Sequence, residues 1–323
     1  MVKFSTAALK RAVVADAKRK AAFPTLFRPE SARYPKLQRT EREGQALLTD
    51  FYRQAGLNTR NFNRLRKEHS AELSRILEAE KAAAIKRAAR VKGTVHSSII
   101  GQAQALQQMT TGNEFFPYPS YNLDKPILIW ARPHPNVISD SHIESYNNWA
   151  KFRFTSGADS GYETLSFYYL WSNPSPYYAV INATTFVSAT GHLKAVATGG
   201  LSGIDPTSRY SGIAVTAGLG LWQWWVTPPS HAPYTTQLFA EFEVSASFWD
   251  KSATADVSDG AQLTQSMFLV PPNATVIVEA LVSVSYWQGH GHMEADFESG
   301  DFRVACPVVL ISVLTPPSGA VVN

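Results

Sequence analysis

The chain has 323 residues, 45% of them hydrophobic and 17% charged, with a net charge of +4. That is ample apolar material for a packed core, in two domains or one large domain with an appendage. A single cysteine, Cys306, excludes an intrachain disulfide and a thiolate zinc cluster, and no stretch approaches the ~20 apolar residues of a membrane span.

Residues 5–22 read as a first helix, with Leu9, Val13 and Ala17 at four-residue steps and Lys10, Arg11, Lys18, Arg19 and Lys20 around them. Lys10 and Arg11 interrupt any secretory core. The basic, acid-poor character is that of an organelle presequence but runs on well past the usual length, so a cytoplasmic or particle-associated location is expected. Pro24, Pro29 and Pro35 make the following segment an extended connector. Thr40 and Glu43 stand at capping-box spacing at the head of a second helix, 40–54.

A third helix is predicted over 61–92, free of Pro and Gly until Gly93. Phe62, Leu65, Leu73, Ile76, Leu77, Ala84, Ala88 and Val91 form its apolar stripe. Arg64, Arg66, Lys67, Lys86, Arg87, Arg90 and Lys92 make it basic, and the last four suit the negative end of the helix dipole. Residues 1–100 carry 22 Lys and Arg against 9 Asp and Glu, whereas the remainder carries 8 against 17. Such a division points the front of the chain at an anion, either nucleic acid, an acidic protein surface or a membrane. The competing reading is a set of solvated helix faces.

Residues 1–112 thus form a basic helical arm, 113–125 a Pro- and aromatic-rich linker, and 126–323 a β domain. Strands are predicted at 127–131, 149–155, 164–171, 178–188, 192–198, 210–217, 220–226, 237–249, 263–270, 275–287, 292–298 and 302–314. Strict alternation is clear in Ala150 to Phe154 and Ala240 to Val244. With no helical pattern between them, these strands imply an all-β antiparallel sandwich, jelly-roll-like, behind a helical arm, α+β overall. WAKFRF at 149–154 echoes FAEFEV at 239–244, and 179–192 echoes 276–290, which raises an internal duplication.

Three features could carry chemistry. His290, His292, Glu294 and Asp296 would share one face of a strand, with metal-like spacing. The HxH followed by an acid resembles the first metal motif of cupins, but no second cupin motif follows. Flanking Gly289 and Gly291 fit a loop instead, and two histidines do not complete a metal site, so no metal and no cofactor is expected. Trp222 and Trp224 should point to one side of a strand, as a ligand platform if exposed and as core or interface if not. Cys306 lies in an apolar run, as a buried inert thiol would. Asp140 to Glu144 and Asp256 to Asp259 read as polar loop clusters, and no nucleophile elbow, phosphate loop or dinucleotide fingerprint is present.

The expected function is therefore that of a non-enzymatic, homo-oligomeric structural or assembly protein. Its plan resembles a viral coat or particle subunit, with a basic arm on nucleic acid or neighbouring subunits and a β-sandwich as wall. The alternatives are a carbohydrate- or receptor-binding sandwich and a delivered or membrane-acting toxin.

Overall fold

The computed structural model describes residues 4–22, 59–91, 119–132, 148–156, 160–199, 209–246 and 249–314. The predicted helix at 40–54 lies outside the described residues. Helix α1 spans Thr6–Ala22, and α2 spans Thr59–Val91. The strands are β1 Ser120–Leu123, β2 Leu128–Arg132, β3 Trp149–Ala150, β4 Arg153–Ser156, β5 Ser160–Ser172, β6 Ala179–Ala197 and β7 Tyr210–Gln223. They continue as β8 Ser230–His231, β9 Thr235–Ser245, β10 Lys251–Val270, β11 Thr275–Gly289, β12 Gly291–Asp296, β13 Arg303–Ala305 and β14 Val309–Val313.

Two antiparallel sheets face each other, as the alternating pattern requires. The first is built on β6, which pairs along one edge with β10 and along the other with β14, β13 and β12 in series. The second is built on β11, flanked by β5 and β7, with β2 beyond β5 and with β8 and β9 beyond β7. Alternate residues of both spines point inward. Ile181, Ala183, Val187, Ala189 and Leu193 meet Val276, Val278, Ala280, Val282 and Val284 in one buried core. The echoing segments take corresponding places: 179–192 and 276–290 lie in the spines, 149–154 and 239–244 in outlying strands.

Several boundaries differ from expectation for physical reasons. Residues 179–197 form one strand because Gly191 does not break it. A methyl group there would stand 2.7 Å from the Asp296 carbonyl and against the Phe297 ring, so the glycine admits a close approach. Gly191→Ala is expected to lower stability by about 1–3 kcal/mol in a denaturant melt, as overpacking does. An unchanged midpoint would mean that the Phe297 corner yields. Asp256 to Asp259 belong to the 20-residue β10 and not to a loop, since full pairing with β6 holds these polar residues extended. Ser120–Leu123, expected in the linker, pairs with β14 as an edge of the first sheet.

The two helices lie on opposite outer faces. Leu9 and Val13 of α1 pack over Tyr168, Trp222, Trp224 and Ile277 on the second sheet. Helix α2 crosses the outer face of the first sheet, with Ala84, Ala88 and the partly buried Ile85 against Phe302.

Candidate polyanion interface

The stripe of α2 that meets the sheet runs through Arg66, Ser70, Leu73, Leu77, Lys81, Ala84 and Ala88, in steps of three and four residues. Leu77, Ala84 and Ala88 are buried, whereas Leu65 and Ile76, assigned to the stripe from sequence, are 42% and 47% exposed. Each stands one residue before a member of that line, about 100° round the helix on the same side. Lys81 sits on that line, four residues after Leu77 and three before Ala84. A cation there needs acidic partners, and β12 provides them.

Because β12 is a strand, His292, Glu294 and Asp296 do share its outer face. His290 does not: it holds a positive φ of 55° at the kink between β11 and β12. Lys81 Nζ donates to Glu294 Oε1 at 2.8 Å and reaches Asp296 Oδ2 at 2.5 Å. Glu294 also receives Arg153 Nε at 2.8 Å and lies 3.1 Å from Lys194 Nζ. Asp296 caps the following turn through Ser299 Oγ at 2.6 Å. Burial raises the Glu294 pKa, but hydrogen bonds from Lys81 and Lys194 outweigh it and bring it down to about 2. Asp296 is likewise pushed up by burial and held low overall by Lys81 and Ser299. Burial and the neighbouring Lys194 lower the His292 pKa, so its ring is neutral near pH 7. These acids are therefore committed to lysine and arginine, and among the described residues no group of three or more metal-ligating side chains is arranged to hold an ion.

A second clasp lies on β10, across β6 from β12. Arg87 Nε donates to Asp256 Oδ2 at 2.8 Å, and the other oxygen of Asp256 lies 2.9 Å from His192 Nδ1. Thr254 Oγ1 donates to Glu80 at 3.0 Å. At the N-terminal end of the helix, His69 Nε2 is 3.1 Å from the Asp250 carbonyl, and Arg66 stands 3.7 Å from the Asp250 carboxylate. A groove of about 600 Å³ separates this end from the sheet, lined by Arg66, Lys67, Ser70, Ser74, Lys194 and His292 among others.

The remaining predicted cations face water. Lys10 and Arg11 are exposed on α1, and Lys67, Lys86 and Arg90 are exposed on α2. Arg64 is also exposed and pairs with Glu68 along the helix. Lys18, Arg19 and Lys20 belong to α1, but their side chains lie outside the described set, as does Lys92 altogether. The predicted cations thus fall into two groups: an outward set on both helices, and Arg66 and Arg87, which turn toward the sheet.

The tryptophans form no open platform. Trp222 and Trp224 do share a side, but α1 covers it, leaving 1% and 2% of their surface exposed. Phe4 meets Trp224 edge-on at 5.7 Å. Trp225 points the other way, toward the inter-sheet core. Beneath α1 lies Glu279, a buried carboxylate that sequence reading passed over. Its Oε1 accepts Ser166 Oγ at 2.7 Å and Tyr168 OH at 2.8 Å, and its Oε2 accepts Trp222 Nε1 at 2.7 Å and Tyr234 OH at 2.6 Å. Burial, then the Glu279 charge, raises the Tyr234 pKa well above its ordinary value, so the phenol remains a donor. Cys306 is fully buried, and burial pushes its thiol up to about 11, which makes it a poor nucleophile.

Fold and site define an antiparallel β-sandwich protein with helix-covered outer faces. Among solved structures it is similar to a carbohydrate-binding module in complex with β-1,4-galactotriose, with 10% identity, 58% of this chain and 90% of that one covered, and a TM-score of 0.24. It is also similar to a xylan-binding domain from Paenibacillus barcinonensis, with 8% identity, 62% and 95% covered and a TM-score of 0.18. A structure of the infectious bursal disease virus Gx strain matches with 14% identity, 61% and 38% covered and a TM-score of 0.17. No protein-family model matches the chain, and no curated protein matches it. Among the described residues, no helix is long and apolar enough to cross a membrane.

Proposed function

We propose that this chain is a non-enzymatic structural or assembly subunit whose helical surface contacts a polyanion, nucleic acid in the first instance. The observation that carries this reading is the outward set of cations, Lys10 and Arg11 over one sheet and Lys67, Lys86 and Arg90 over the other. Exposed surface lysines and arginines spread along a helix suit a repeating phosphate backbone, where each contact releases a counterion. The acidic face of the first sheet is occupied by the chain's own α2, which favours nucleic acid over a neighbouring sandwich as the partner of these cations. The wall-forming role of the sandwich and self-association belong to the same proposal.

The test is duplex DNA binding by the full chain across a salt series. Affinity independent of sequence should fall roughly several-hundred-fold between about 50 and 200 mM salt, for about five phosphate contacts. Replacing Lys86 and Arg90 with alanine should reduce the slope of log affinity against log salt by about 2. Absence of binding to duplex or single strands at the lower salt would remove the proposal.

A further inference from the structure

We infer that α2 is an autoinhibitory strap: carboxylates of the first sheet hold cations that a polyanion would otherwise recruit, so polyanion binding lifts the helix from its own sandwich. The inference rests on the polyanion reading above and adds its regulation. Four carboxylates follow the helix across the sheet, Asp250 facing Arg66, Glu294 and Asp296 holding Lys81, and Asp256 holding Arg87. From Arg66 to Arg87 the helix rises about 30 Å, so the sheet offers α2 a track of negative charge on the scale of a bound nucleic acid strand. A phosphate backbone competes for the same guanidinium and ammonium groups with equivalent oxygen acceptors.

The rest of the attachment is suited to release. Among the described residues of α2 only Leu77, Ala84 and Ala88 are buried apolar side chains, and two of the three are alanines. At the N-terminal end the helix stands over the 600 Å³ groove, and Arg66 lies farther from Asp250 than Lys81 or Arg87 does from its own carboxylate. Lifting can therefore begin there, with the Lys81 and Arg87 clasps broken in turn. Once α2 has lifted, the sheet carboxylates meet water, and Glu294 retains Arg153 and Lys194.

The experiment uses the full chain carrying Glu80→Cys and Thr254→Cys, positions that face each other across the interface. A short bismaleimide joins them when the helix is docked, and Cys306 is buried away from the reagent. The crosslinking yield should fall as duplex DNA is added, and the crosslinked protein should bind the duplex about fivefold more weakly than the same protein without the reagent. Asp256→Asn, which frees Arg87 without a second cysteine pair, should tighten duplex binding by about fivefold. A duplex that binds while the crosslinking yield stays constant would overturn the strap and leave the polyanion reading standing. A duplex that does not bind at all would overturn the polyanion reading, and the strap with it.

Discussion

Glu279→Ala is expected to be the most destabilising single substitution in the sandwich, costing about 5 kcal/mol in a denaturant melt. The carboxylate is 4% exposed and accepts all four of its hydrogen bonds from neutral donors. Those donors come from β5, from β7 and from Tyr234 just ahead of β9, so one side chain on β11 ties together neighbouring strands of the second sheet. Truncation removes the acceptor shared by the buried Trp222 indole, Tyr168 phenol and Ser166 hydroxyl and by the half-buried Tyr234 phenol, and each buried donor that loses its partner costs about 1–3 kcal/mol. Glu279→Gln should cost less, because the amide oxygen can still accept from Trp222 Nε1 and Tyr234 OH while the amide nitrogen faces the Ser166 and Tyr168 hydroxyls, which can turn to accept. Tyr234→Phe, which removes one donor and leaves the carboxylate three, should cost only about 1 kcal/mol. If the alanine variant lost less than about 2 kcal/mol, water or a rearranged α1 would be satisfying those donors, and the carboxylate would not organise this face.

The fold was legible because a sandwich core follows the two-residue period. The alternation in 179–197 and 275–289 brings the apolar residues of both spines to one interior, and turn residues mark most strand ends. What periodicity could not give was the partner of an outer face. For Trp222 and Trp224 core or interface packing was the favoured reading and an exposed platform the rival, and the choice depended on where Leu9 and Val13 dock, some two hundred residues away in the chain. Glu279 was visible only as a charge in VIVEALVSV, at a position equivalent to the outward residues of its strand; its four donors are remote in sequence. Lys81, which sequence reading did not single out, carried a clearer signal, a cation between Leu77 and Ala84 on the apolar line. The HMEAD segment was weighed for metal, with none expected, because residues two apart on a strand share a face, and for His292, Glu294 and Asp296 that geometry is correct. Their counter-ion is the Lys81 ammonium, brought by a helix that the spacing within β12 cannot reveal.

Lys81→Met should cost about 3 kcal/mol near neutral pH, the low end of what breaking a buried ion pair costs. Lys81 is 12% exposed at its side chain, against 7% for Glu294 and none for Asp296. Methionine keeps the length of the side chain but leaves Asp296 with only its turn amides and Ser299, and leaves Glu294 to Arg153 and Lys194. The pH dependence is what separates an electrostatic clasp from a packing role. Glu294, brought from 4.5 to about 2 in the folded chain, contributes stability that is complete above its unfolded value and lost as pH falls toward 2. A change of that size corresponds to about 3 kcal/mol net of burial, supplied by Lys81 and Lys194. Burial lowers the Lys81 pKa, but its hydrogen bonds to Asp296 and Glu294 win and hold it above 10.5, so its contribution is complete below 10.5 and lost above the raised folded value. The gap in stability between wild type and Lys81→Met should therefore be widest between about pH 4.5 and 10.5 and should close toward pH 2. Amide exchange over 73–88 should rise in the variant across that same window, as the C-terminal half of α2 loses its central anchor. A gap that stays constant down to pH 2 would assign Lys81 to packing by its methylene stem alone and would deny the clasp its charge.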